Sequence, residues 1–190
     1  MAFITNANGN VISFAEFTDV VQKDQRVFEA NELVIPAESG FVDTTDFVED
    51  MLEKGTNRIL LKLKASSWWR NYCFYAGIDY DINNIPNINP DNIDPGNALG
   101  RRQQFTDMCV YYTLKEYIFP LIADFGNEES AGVTKITYYN DKYNSIYEEL
   151  TALSDWYDAD GDGTIQVDEK ATYYQQVRRS RRRTNIVVVK

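Results

Sequence analysis

Apolar residues recur every three or four positions in four stretches of the first 157 residues, which predicts four helices. The first would begin after a capping box formed by Ser13 and Glu16 and run to about residue 31. The second would begin at an N-cap among residues 43–45, and Gly55 would interrupt its apolar face. That face consists of Phe47, Val48, Met51, Leu52, Ile59, Leu60 and Leu63.

The third helix is expected over about residues 97–119, where Pro120 would end or kink it. The fourth carries an a/d seam and should lead straight into residues 158–169. A free coiled coil is one interpretation of the seam. Its short length favours a helix packed in a bundle on the second and third helices. The seam consists of Ile136, Tyr139, Tyr143, Ile146, Leu150 and Leu153.

The remaining segments complete an all-α prediction, a bundle of about four to five helices in one domain. Residues 1–12 are two β-prone pieces about an Asn-rich turn and predict a hairpin or extended N-terminal arm. Residues 77–100 form a long loop whose isoleucines need a cover, such as a neighbouring subunit. An aromatic patch expected to pack in the core precedes that loop; it contains Trp68, Trp69, Tyr72 and Phe74. We divide the domain into a bundle at 1–157, a loop at 158–169 and a basic C-terminal arm at 170–190.

Charge is distributed unevenly along the 190 residues. The chain has 29 acidic and 19 basic residues, yet residues 178–190 carry only basic charge, which points to separate partners for body and tail. No histidine is present, which removes the commonest general base, and no motif of enzyme chemistry is found. Cys73 and Cys109 are predicted to be buried thiols of a reducing compartment. No apolar run approaches the ~20 residues of a membrane span, so we expect a cytoplasmically made protein without a membrane partner.

The stretch from Asp158 to Glu169 fits the twelve-residue calcium loop of an EF-hand. Gly163 stands at position 6, where a positive φ is expected, and Ile165 at position 8 is apolar. The predicted ligands are Asp158, Asp160, Asp162, Thr164 through its carbonyl, Gln166 directly or through water, and Glu169 as a bidentate carboxylate. The alternative is an Asp/Gly-rich turn that binds nothing, but without a cation its three neighbouring carboxylates would repel one another. Because sensor loops come in pairs and no second loop is found, calcium is predicted to act as a structural staple.

Beyond the loop, a fifth helix is predicted from about residue 167, followed by a basic run and a β-branched tail suited to strand addition on a partner. The basic run could be a solvated tail, a sequence-independent contact with nucleic-acid phosphates, or a dock for an acidic protein surface. A run this short favours protein docking or incidental proximity to DNA.

The order of these parts resembles the head–tail connector (adaptor) proteins of tailed bacteriophages. The resemblance covers most of residues 13–183. It rests on the Asn/Pro-rich loop, the helix ending in YIFP at residues 117–120, and the KITYY segment at 135–139. The acidic DADGDGTI turn at 158–165 and the basic C-terminal segment complete it. A complete calcium loop is not a requirement of that family, and we expect calcium to fix the angle at which the C-terminal arm leaves the bundle.

The resemblance implies a virion protein at the head–tail interface, one subunit of a dodecameric ring around the DNA channel. Its partners would be neighbouring copies, the portal protein and the next neck or tail protein, with non-specific proximity to packaged DNA. By position, the arm at 170–190 would dock on the portal. The residues implied in that contact are Tyr173, Tyr174, Arg178, Arg179, Arg181, Arg182, Arg183, Ile186, Val187, Val188 and Val189. The alternatives are a single-EF-hand intracellular regulatory module that binds calcium, and a nucleic-acid-binding protein.

Overall fold

The fold, in a computed structural model, is predominantly helical with one two-stranded sheet, which confirms the all-α prediction. The chain forms two compact units, one of residues up to Ile59 with Arg101–Glu148, the other of Leu60–Gly100 with residues from Glu149 on. No helix in the described part of the chain is long and apolar enough to cross a membrane. The structure describes residues 3–29, 33–69, 93–98, 100–126, 130–158 and 162–166.

The N-terminal arm is the predicted hairpin. Strands β1 (Ile4–Thr5) and β2 (Val11–Ser13) pair antiparallel, and the Asn6 side chain accepts hydrogen bonds from two backbone N–H groups of the turn. Aromatic contacts within the first unit hold the arm in place. The rings of Phe3 and Phe14 lie 4.9 Å apart, and those of Phe14 and Phe105 lie 5.1 Å apart.

The first helix differs from the prediction in its start and its length. Helix α1 (Phe17–Lys23) begins after Glu16, whose N–H donates to Asp19 Oδ2 at 3.0 Å. Ser13 is not the cap, because it ends β2 and its hydroxyl bonds to the backbone of Ala15. The chain then leaves the helix at Asp24 and forms a separate α2 (Arg26–Glu29).

The Asp24 side chain at this break has tertiary partners. Its carboxylate, 6% exposed, pairs with Lys135 Nζ and accepts a hydrogen bond from Tyr139 Oη at 3.1 Å. Both partners lie more than 100 residues further along the chain, so helical periodicity carries no information about them. A buried carboxylate needs such partners, and they fix the Asp24 side chain at the end of α1.

Helix α3 (Thr44–Lys64) is the predicted second helix, and all seven residues of its apolar face are buried. Asp43 precedes it, and its Oδ1 accepts from Thr45 N at 3.2 Å. Gly55 does not interrupt the helix. A Cβ there would lie 2.9 Å from Thr113 Oγ1, so the glycine permits close packing on the next helix.

The third helix passes through Pro120 without ending. Helix α4 (Arg102–Thr113) continues as a π-helical turn (Leu114–Ile118) into α5 (Phe119–Ile122). In that wider turn, Phe119 N donates to Leu114 O, five residues back. The π turn accommodates a proline ring that an α-helical interior would reject, since Pro120 lacks an N–H and clashes with the preceding turn. The predicted interruption at Pro120 thus takes the form of a π turn, with the helix ending two residues later at Ile122, whereas the predicted start at about residue 97 is wrong, because α4 begins at Arg102.

Helix α6 (Ala131–Leu153) is the predicted bundle helix. In the first unit its Tyr139 ring stacks between Tyr111 of α4 and Phe119 of α5, with both centroid distances 5.6 Å. Three seam residues (Tyr139, Tyr143 and Leu150) are buried. Leu153, the last residue of the helix, departs from the seam and is 41% exposed.

Candidate metal site

The backbone between α6 and Asp158 is not helical. Ser154 follows the helix with a left-handed φ of 51°, and its N–H donates to Leu150 O at 3.1 Å. The indole Nε1 of Trp156 donates to the same carbonyl at 2.9 Å. These two donors satisfy a carbonyl that the end of a helix would otherwise leave unpaired. The expectation that the fourth helix leads straight into the calcium loop is therefore wrong.

Backbone groups around the start of the loop form hydrogen bonds with Asn97 and Gly100 and not with a helix. Trp156 O accepts from Gly100 N at 3.1 Å, and Asp158 N donates to Asn97 O at 2.9 Å. A short 3-10 turn (Pro95–Asn97) shapes this segment, and Asp94 Oδ1 caps it by accepting from Gly96 N at 2.8 Å. The start of the loop is thus fixed by contacts that are distant in sequence.

An aromatic cluster also holds the start of the loop. The rings of Trp68 and Trp156 lie 4.4 Å apart, and Tyr157 meets Trp68 edge-on at 5.7 Å. Trp68 and Trp69 are both 3% exposed, which confirms their predicted place in a core. Asp158, the first predicted ligand, directly follows Tyr157 of this cluster and is 1% exposed. The aromatic cluster therefore anchors the backbone just before the ligand.

The turn at the centre of the loop has the predicted conformation. Gly163 has a φ of +89°, and its N–H donates to Asp158 Oδ2 at 2.8 Å. An added Cβ would meet no atom of the described residues within 4 Å, and the positive φ alone already favours glycine here. This turn brings the carboxylate of position 1 back over the middle of the loop.

Asp162 organises the exposed side of the loop. Its Oδ1 accepts from both the N–H and the hydroxyl of Thr164, at 2.8 and 2.7 Å, and its Oδ2 accepts from Gln166 Nε2 at 2.9 Å. These bonds, the Thr164 hydroxyl first, lower the pKa of the Asp162 carboxyl. The carboxylate is thus held in its charged form, the form that binds a cation.

The described part of the loop fits a hard divalent cation in its donor chemistry. Asp158, Asp162, Thr164 and Gln166 offer carboxylate, carbonyl and amide oxygens, the ligands that calcium prefers. Within residues 158 and 162–166, as elsewhere in the described ranges, no three acidic, Cys or His side chains form a group that could hold a metal. Asp160 and Glu169, the other two predicted carboxylates, lie outside the described residues, and so do all the residues predicted for partner binding in the arm at 170–190.

Comparisons with protein-family models, curated proteins and solved structures find no match for this chain.

Sequence reasoning misses the residues that position the loop, namely Asn97, Gly100 and Trp156. Helical periodicity places Asn97 at the start of the third helix, and nothing in the local pattern links residues 94–100 to residues 156–158. The one sequence feature that bears on them is the buried character expected of the isoleucines in the long loop. Ile93 is indeed 1% exposed, so this end of the loop packs inside the protein.

Proposed function

We propose that this chain is a structural assembly protein, the subunit of a connector ring at the head–tail interface of a tailed bacteriophage. We further propose that calcium bound at residues 158–169 fixes the direction in which its C-terminal arm leaves the body. The order of sequence segments supports the connector role, and the predominantly helical fold is compatible with it. Ring formation, docking on a portal protein and a place in the virion are parts of the same proposal.

One observation favours a structural loop over a sensor. A sensor EF-hand responds to calcium by changing the angle between two helices that adjoin the loop. Here α6 ends at Leu153, and the approach to the loop is held by two backbone hydrogen bonds, from Gly100 N to Trp156 O and from Asp158 N to Asn97 O. Movement of the loop would break buried hydrogen bonds, so this geometry supports an elbow with one preferred conformation.

Calcium would add strong oxygen coordination and positive charge to this arrangement. Asp158 and Asp162 would be the described carboxylate ligands, and Thr164 would contribute its carbonyl oxygen. The charge would offset repulsion between the carboxylates, and binding to the folded state would stabilise that state by mass action.

Negative-stain microscopy and light scattering of the purified full chain test the proposal, with excess calcium or with chelator. We expect annular particles with calcium, and fewer or irregular particles with chelator or in Asp158→Asn combined with Asp162→Asn. Asp141→Asn, a charge change at an exposed position of α6, is the control for charge loss. A strictly monomeric protein that changes shape with calcium would overturn the connector role in favour of a regulatory module. Rings that form equally well with chelator would overturn the role of calcium alone.

A further inference from the structure

We propose that Gly100 is a positioning residue for the cation loop, and that it couples cation binding to the Trp68–Trp156 pair. This inference rests on the proposed calcium site and adds to it a part of the chain outside the twelve-residue motif. Three features connect Gly100 to the cation: the closed space around it, the hydrogen bonds beside it, and the tryptophans that those bonds reach.

Atoms from the segment before the loop and from the loop itself lie close to Gly100. A Cβ at this position would lie 2.6 Å from Asp155 O, 2.9 Å from Trp156 Cα and 2.9 Å from Ile165 Cδ1. The first two atoms belong to the backbone that approaches Asp158. Ile165 stands at position 8 of the loop, between the predicted ligands Thr164 and Gln166. Any side chain at residue 100 must therefore push back the Asp155–Trp156 backbone that leads to Asp158, and it must also turn the Ile165 side chain aside.

Hydrogen bonds at Gly100 and Asn97 connect such a displacement to Asp158, the first predicted ligand. Gly100 N donates to Trp156 O, and two residues further on Asp158 N donates to Asn97 O. Asp158 Oδ2 in turn accepts from Gly163 N at 2.8 Å. Asp158 is thus held at its backbone by Asn97 and at its carboxylate by the Gly163 N–H. A shift of Trp156 alters both, because Asp158 is only two residues away.

The same contacts reach the aromatic cluster. All three tryptophans of the chain are Trp68, Trp69 and Trp156, and each is at most 3% exposed. The rings of Trp68 and Trp156 lie 4.4 Å apart with 33° between their planes, a geometry in which the two indoles couple electronically. A cation that tightens the loop against Gly100 therefore changes the tryptophan spectrum without touching an indole.

Terbium(III) luminescence excited through tryptophan, with calcium as competitor, measures this coupling on the full chain. Groups around metal ligands commonly change affinity by ~10–100-fold when altered, and we expect Gly100→Ala to weaken terbium binding within that range. We also expect the near-UV circular dichroism change that accompanies cation binding to the wild type to be lost. Gly126→Ala is the matched control, since among the described residues its Cβ would meet only a side-chain oxygen of Asp124, at 3.2 Å. It should bind terbium as the wild type does.

A second variant keeps the test decisive if Gly100→Ala does not fold. Ile165→Ala removes the side chain that touches Gly100 but leaves every predicted ligand, and it should weaken terbium binding in the same direction. Wild-type affinity and an unchanged dichroism response in both variants would overturn the positioning role while leaving the calcium site intact. Failure of the wild type to bind terbium or calcium, or luminescence that persists in Asp158→Asn, would instead overturn the proposed site, and the positioning role with it.

Discussion

The polar groups of the Phe14 backbone are held by threonine hydroxyls from two different helices. Phe14 N donates to Thr56 Oγ1 of α3 at 3.1 Å, and Phe14 O accepts from Thr106 Oγ1 of α4 at 2.8 Å. Phe14 is fully buried, and Thr56 and Thr106 are 1% and 2% exposed. Water therefore does not replace either hydroxyl, and Thr→Val at either position removes a hydrogen bond at nearly constant volume.

We expect Thr56→Val to lower the free energy of unfolding by ~1–3 kcal/mol, because it leaves the buried Phe14 N–H without its main acceptor. The Cys109 sulfur also accepts from the Phe14 backbone N–H, but sulfur is a weak acceptor, so it offsets only a small part of this cost. Thr106→Val should cost less, since a carbonyl oxygen tolerates a lost partner better than an N–H does. For a urea m-value of about 2 kcal/mol/M, the Thr56→Val cost corresponds to a midpoint shift of about 0.5–1.5 M.

Far-UV circular dichroism in urea measures the midpoint, and amide hydrogen exchange of residues 3–16 measures the arm itself. Thr56→Ser is the matched control, because it keeps the acceptor and loses one buried methyl, at ~0.8 kcal/mol. We expect the Phe14 amide to stay protected in Thr56→Ser and to lose protection in Thr56→Val. An unchanged urea midpoint together with full protection in Thr56→Val would refute the assignment of these hydroxyls as the anchor of the N-terminal arm.

Two further predictions concern buried groups of the first unit. Burial raises the pKa of the Cys109 thiol from its ordinary 9.0 to about 12, so in a Cys73→Ser background we expect Ellman's reagent to label it only after unfolding. The Cys109 thiol of the unfolded chain loses its proton at a lower pH than the buried thiol does. The stability that comes from keeping this thiol neutral is therefore complete below about pH 9 and declines as the pH rises towards 12. Measuring the urea midpoint at increasing alkaline pH checks the sign of this change. Tyr139→Phe removes the hydroxyl that donates to Asp24, and we expect it to cost ~1.5–3 kcal/mol because the acceptor is charged. Tyr138→Phe, at a half-exposed neighbour, should leave the melting temperature unchanged, and equal melting temperatures for both variants would contradict the role assigned to Asp24.

The predicted helices show where sequence periodicity is sufficient. Periodicity predicts the apolar residues of α3 completely: all seven are buried, and burial of apolar surface is the dominant driving force for folding. The sequence also predicts the N-terminal hairpin, since an Asn-rich turn between β-prone residues has few alternatives. Periodicity fails at Asp24, where the first helix breaks and the side chain bonds to Tyr139, and it carries no information on the π turn before Pro120.

For the loop at residues 158–169 as well, some features follow from the sequence and others only from the tertiary structure. Its sequence alone determined the oxygen-rich donor set and the positive φ of Gly163, because only glycine adopts that conformation at little cost. The tertiary structure alone decided how the loop is held. Gly100, Asn97 and Trp156 meet it through backbone hydrogen bonds and close packing, and these contacts join residues more than 50 positions apart. Local spacing encodes the ligands, whereas the position of the loop depends on which distant backbone groups become buried together.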